Sequence, residues 1–268
     1  MSSLSISAAW EETKAILAHD AQLYLSVALA LVVLPQVVQA VAGSPMDSGA
    51  SNVTKVVYVV VVLIGLVAQI ALNRLAIGPS VTVRDSIAQG LVRLVPVFLV
   101  LAVAIFLVAI VAAVIAIGLA AAGVVIIKSP GQPSPAFVAL LIALAALIFP
   151  LVQLIFPVAA VETGNPIRLI ARSWQLARGQ YLRLLAFVVI IFVGVGLAVI
   201  ASQVGLGSVI VLLLGRPNPG SMSALVLGLV AGILQAAFTV ITAVMLARIY
   251  VQLAGRGDAQ VSVPRSGI

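Results

Sequence analysis

Few side chains in this sequence could do bond-making chemistry. The chain holds seven carboxylates, Glu11, Glu12, Asp20, Asp47, Asp85, Glu162 and Asp258, a single histidine, His19, and no cysteine. Metal-assisted phosphodiester hydrolysis needs several carboxylates and imidazoles converging on one cation. Beyond the N-terminal group, no two of these acids are close in sequence. No Gly-rich phosphate loop, His-Glu-x-x-His or Gly-x-Ser-x-Gly pattern occurs, and His19 beside Asp20 reads as the solvated end of a helix. Without cysteine there are no disulfides, thiolate zinc sites or iron-sulfur ligands. The expectation is a protein that is not an enzyme and has no metal or cofactor.

Two groups of polar residues remain. Arg168, Arg172, Arg178 and Arg183 crowd into one stretch between two long apolar runs. Guanidinium groups in such a place suit bidentate contact with lipid phosphates. The second group is uncharged and lies within the apolar runs: Gln36, Gln39, Gln69, Asn73, Gln153, Gln203, Gln235, Thr239 and Thr242. Gln69 with Asn73, and Gln235 with Thr239, are four apart and share a helix face. Gln69, Asn73, Gln153, Gln235 and Thr239 are candidates for a polar path through a membrane. The favoured reading of these amides is instead hydrogen bonding between helices, worth about 0.6 to 2 kcal/mol each. No ionisable residue is expected deep in a span, which argues against a proton relay or ion pump.

The elements that must position these residues follow from composition. Of 268 residues, 63% are hydrophobic and 8% charged, with a mean hydropathy of +1.32, whereas a soluble domain has roughly 25% charged residues. A transmembrane barrel would alternate polar and apolar residues over about 10 positions. Here the runs are continuously apolar, so the expected fold is an all-α, polytopic transmembrane bundle forming a single domain. Six runs, at about 21–41, 53–77, 94–125, 136–161, 182–214 and 222–253, meet the roughly 20 residues that a span requires. Gly194, Gly196, Gly205 and Gly207 in the fifth run, and Pro150 and Pro157 in the fourth, are places where bending is tolerated. Gly228 and Gly232 in the sixth permit close helix contact.

Charge then orients the bundle. Lys14, Arg74, Arg84, Arg93, Arg168, Arg172, Arg178, Arg183, Arg248, Arg256 and Arg265 fall on one side, against Lys55, Lys128 and Arg216 on the other. By the positive-inside rule both termini are expected in the cytoplasm, and an even number of spans agrees in placing them on the same side. The first 20 residues do not read as a cleavable signal. The formal net charge of +7 borders apolar runs instead of forming a solvated patch, so anionic lipid headgroups, not nucleic acid, are the expected partner. A homo-oligomer and a separate partner protein both remain compatible with the sequence.

The two long charged connectors are helical in pattern. Asn165 is the expected N-cap and Pro166 the first residue of a helix at about 166–179. Ile167, Ile170, Trp174, Ala177 and Tyr181 share one face and Arg168, Arg172 and Gln175 another. Such a helix lies flat at the interface, with Trp174 and Tyr181 at headgroup depth and Gly179 loosening the chain before the fifth run. A second interfacial helix is expected at about 82–93, with Gly78-Pro79-Ser80 as its break, Thr82 as its cap and Asp85 in its first turn. A third is expected at about 7–20. Together they suggest three repeats of an interfacial helix followed by a helical hairpin.

Glu162-Thr-Gly-Asn-Pro-Ile, then Arg172-Ser-Trp-Gln-Leu-Ala-Arg-Gly and Leu182-Arg-Leu-Leu, resemble the membrane domain of the glycerophosphoryl diester phosphodiesterase family. The Trp10 to Gln36 and Ser80 to Pro96 segments fit it too, so the resemblance spans nearly the whole chain. In some members this domain is fused to a catalytic barrel that releases glycerol 3-phosphate, and the sequence here contains no such barrel. The resemblance implies a bacterial inner-membrane module associated with glycerophosphodiester or phospholipid metabolism. The alternative is a transporter or channel for a small polar or lipid-derived solute.

Overall fold

The structure is a computed structural model that describes residues 5–46, 49–77, 82–122, 127–129, 132–162 and 165–261. The expected Gly78-Pro79-Ser80 break, Asp47 and Arg265 lie outside the described residues, as do the side chains of Gln203, Arg256 and Asp258. The fold is all-α: helices α1 (Ile6–Ala28), α2 (Leu34–Ala42), α3 (Asn52–Ile77), α4 (Val83–Ala121), α5 (Pro135–Val161), α6 (Pro166–Arg178), α7 (Tyr181–Leu214) and α8 (Met222–Val261). A π-helical turn, Leu29–Val33, joins α1 to α2. Strands β1 (Ile127–Ser129) and β2 (Gln132–Pro133) pair in the α4–α5 connector. Among the described residues six helical stretches are long and apolar enough to cross a membrane.

The three expected interfacial units differ from one another. At the N-terminus the helix bends at Asp20, whose backbone (φ −113°, ψ 24°) leaves the helical region, close to the expected boundary. Thr82 caps α4, accepting from the Asp85 backbone N–H at 3.1 Å and donating its hydroxyl to the Asp85 carboxylate at 2.6 Å. No break follows. α4 runs 39 residues straight through Arg93 and Pro96, so the separate helix expected at 82–93 is the first part of a span. Gly90 seats so closely on α3 that a Cβ there would lie 2.9 Å from the Val67 carbonyl oxygen, and the one backbone hydrogen bond that Pro96 removes does not end the helix. Only α6 is a helix in its own right, ended where Gln180 turns to φ −143°, ψ 24°.

The core is concentrated toward the end of the bundle that carries the arginines. On α3 the buried residues all fall between Val67 and Ala76. Leu154–Ala160 on α5, Leu184, Phe187 and Val188 on α7, and most of the buried positions of α8, from Ala236 to Leu253, belong to the same half. In the opposite half the main contact is a seam between α8 and α2. There a Cβ at Gly228 would lie 2.6 Å from Ala40 Cβ, and one at Gly232 would lie 3.2 Å from Val33 Cα. This assigns the Gly228/Gly232 pair to a neighbour within the chain. Gly194, Gly196 and Gly205 of α7 meet nothing within 4 Å. At the same far end the Gly220 N–H donates to the Val41 carbonyl at 3.0 Å, and Gly43, Gly215 and Gly220 turn with positive φ.

Candidate functional site

Helix α6 sits at the arginine-rich end with two apolar stripes. Leu169, Ser173, Leu176 and Ala177 are buried against α5, α4 and α8. Ile167, Ile170 and Trp174 form an outward ridge, 79%, 42% and 52% exposed. The ridge is as expected, except that Ala177 belongs to the core stripe. Arg168, Arg178 and Arg183 are exposed, and the Arg183 guanidinium reaches Gln180 Oε1 at 3.5 Å. Asn165 occupies the cap position and its carbonyl accepts from the Arg168 and Leu169 N–H groups. Its side chain, however, makes no capping bond, so the extended backbone and Pro166 start the helix.

Two residues expected at the lipid surface hydrogen-bond within the protein. Arg172 Nε donates to Glu162 Oε1 at 3.0 Å, each side chain 32% exposed, and the Tyr250 hydroxyl donates to the same oxygen at 3.0 Å. Glu162 follows the last turn of α5, where its N–H donates to the Val158 carbonyl at 2.8 Å. One carboxylate thus joins α5, α6 and α8. Tyr181 donates its hydroxyl to the Leu147 carbonyl, in the middle of α5, near the turn that Pro150 deprives of a donor. A second tie, Glu12 to Arg248 at 3.8 Å, holds α1 to α8. In the sequence Glu162 stands among scattered acids and at the head of the stretch that carries the family resemblance, but nothing local marks its partners.

The uncharged polar residues divide between two places. Gln36, Gln69, Gln235 and Thr239 line one cavity of about 220 Å³ between α2, α3 and α8. Asn73 is fully buried one turn from Gln69 and donates its Nδ2 to the Gln69 backbone carbonyl at 2.8 Å. Gln153 lies elsewhere, in a crevice of about 10 Å³ with Phe149, Phe187 and Thr242. Three of the amide oxygens make no bond between helices: among the described residues Gln69 Oε1, Asn73 Oδ1 and Gln153 Oε1 are buried without a hydrogen-bond partner. Among the described residues no group of three His, Cys, Asp or Glu side chains is placed to hold a metal. His19 Nδ1 and Asp20 Oδ1 are 2.8 Å apart on the surface.

No curated protein and no solved structure matches the chain. The family model described as Domain of unknown function (DUF7847) matches residues 20–253, a region that takes in the Asp20 bend, every later span, α6 and the amide-lined cavity. By that match the chain is a multi-pass helical membrane protein of the DUF7847 family.

Proposed function

We propose that this is a non-enzymatic protein of a bacterial inner membrane whose helix α6 rests on the cytoplasmic leaflet and engages anionic lipid headgroups. The observation that carries the reading is the outward ridge of Ile167, Ile170 and Trp174 beside exposed Arg168 and Arg178. Such a ridge enters the interface and leaves guanidinium groups at phosphate depth. Each basic residue near an anionic surface contributes about 1 kcal/mol, so these two arginines favour anionic over zwitterionic lipid by about 2 kcal/mol. The resemblance to the glycerophosphoryl diester phosphodiesterase membrane domain supports a place beside phospholipid metabolism, with α6 collecting lipid or docking a lipid-modifying partner.

The test uses Trp174 as its own probe. In a Trp10→Phe background, brominated phosphatidylglycerol should quench Trp174 more than brominated phosphatidylcholine does. Arg168→Ala with Arg178→Ala should remove that preference. Equal quenching by the two lipids before any arginine is changed would overturn the reading.

A further inference from the structure

The cavity between α2, α3 and α8 has a composition that a merely unfilled packing defect lacks. Its polar contributors, Gln36, Gln69, Gln235 and Thr239, come from three helices far apart in sequence, and no charged side chain lines it. An apolar void in a bundle stays empty, while a polar one requires a partner for each buried group. Gln69 Oε1 is sealed from solvent and has none. With no accessible surface, that atom faces the packing between helices, while the cavity is open to the remaining polar groups of its lining.

Depth and access narrow the occupant. Gln235 stands 13 residues into α8 from Met222, about 20 Å along the axis at 1.5 Å per residue, so the cavity sits within the span. At its rim Val62 is 39% exposed and Gln235 is exposed. At that depth exposure faces lipid, and a ligand arrives through the bilayer. A charged group would lose its hydration there and find no counter-charge, a penalty of several kcal/mol. A hydroxyl both donates and accepts, so it suits the amide and hydroxyl groups that line the cavity. The volume, about 220 Å³, falls below the roughly 300 Å³ at which sites for whole drug-sized ligands begin. It admits a small head and leaves a tail outside. The wall includes Leu31 and Val32 of the π-helical turn, a distortion that occurs often at functional sites.

We propose that this cavity binds the head of an uncharged, hydroxyl-bearing lipid of the acylglycerol class, with Gln69, Gln235 and Thr239 bonding its hydroxyls and the acyl chain leaving past Val62 into the bilayer. The site is separate from α6 and does not depend on the lipid-surface reading.

The full chain in nanodiscs, exposed to a 1-acylglycerol carrying a photoreactive diazirine near its ester, tests this. Labelling should map to 61–69 of α3 and 231–239 of α8. Excess 1-oleoylglycerol should compete, and methyl oleate, which has no hydroxyl, should not. Gln69→Leu with Gln235→Leu should weaken competition by about tenfold, as two lost hydrogen bonds of typical intramembrane strength imply. Gln69→Leu removes an unpaired oxygen and should leave the melting temperature unchanged or raised. Should that variant fail to fold, Gln235→Leu alone, at an exposed position, carries the same comparison. Equal competition by methyl oleate, or labelling indifferent to both substitutions, would overturn the proposal and leave the cavity to water or an acyl chain.

Discussion

Glu162 and Arg172 stand on either side of the α5–α6 connector and meet at 3.0 Å, and the oxygen they share also accepts the Tyr250 hydroxyl at 3.0 Å. The pair fixes the angle at which α6 leaves α5, while Tyr250 binds both to α8. It also separates the arginines of α6 by task. Arg172 holds the helix in place, and Arg168 and Arg178 face outward.

That division predicts different consequences for similar substitutions. Arg172→Ala leaves a partly buried carboxylate with one partner fewer, and a hydrogen bond to a charged group is worth about 1.5 to 3 kcal/mol. Because both side chains are 32% exposed, solvent screening places the loss at the lower end, about 1 to 2 kcal/mol. Tyr250→Phe should cost about 1 kcal/mol. Thermal unfolding in detergent should show the double variant losing an amount different from the sum of the singles, since both groups act on one oxygen. Arg168→Ala should leave the melting temperature within error. Equal destabilisation by Arg168→Ala and Arg172→Ala would remove the distinction.

Glycines in α7 and α8 should respond in opposite directions. At Gly228 an added methyl would meet Ala40 Cβ at 2.6 Å and Val37 Cα at 3.2 Å, so Gly228→Ala must spread α8 from α2 and should cost about 1 to 3 kcal/mol. Ala40→Gly in the same chain should recover part of that loss. Gly194→Ala and Gly205→Ala meet open space and exchange a poor helix former for the best one, which favours the helix by up to about 1 kcal/mol. Melting temperatures of the four variants decide the matter. Destabilisation by Gly205→Ala would mean that α7 packs against something outside the chain.

What could be read in the sequence divides along the same line. The spans were legible because lipid tolerates so few backbone arrangements that a long apolar run has one outcome. The limits of α6 were legible from Asn165-Pro166 and Gly179, which act through local backbone geometry. The bond from Arg172 to Glu162 was not, because α6 has two apolar stripes and a helical wheel cannot say which one meets protein. Glu162 was missed for a related reason: its partners lie 10 and 88 residues away, and only tertiary packing brings them together. Gln69 and Gln235 were singled out by type, yet their convergence with Gln36 on one cavity depends on how three helices cross. α4 continues through Pro96, a position where a membrane helix can end or carry on, and the proline alone does not decide which.

Orientation can be settled with the chain's own lack of cysteine, since any introduced thiol is then the sole target. The sequence assigns eleven of the fourteen basic residues to one side of the expected bundle, and Glu12 lies beside Arg248, which brings the first and last helices together. If retention of positive charge during insertion sets the topology, Arg178→Cys should react with a membrane-impermeant maleimide only after cells are permeabilised. Pro217→Cys, in the exposed α7–α8 turn, should react in intact cells. The reverse pattern would place α6 on the outer leaflet, where the cytoplasmic surface potential that draws arginine toward anionic lipid is absent. The ridge of Ile167, Ile170 and Trp174 would then need an occupant other than an anionic inner leaflet.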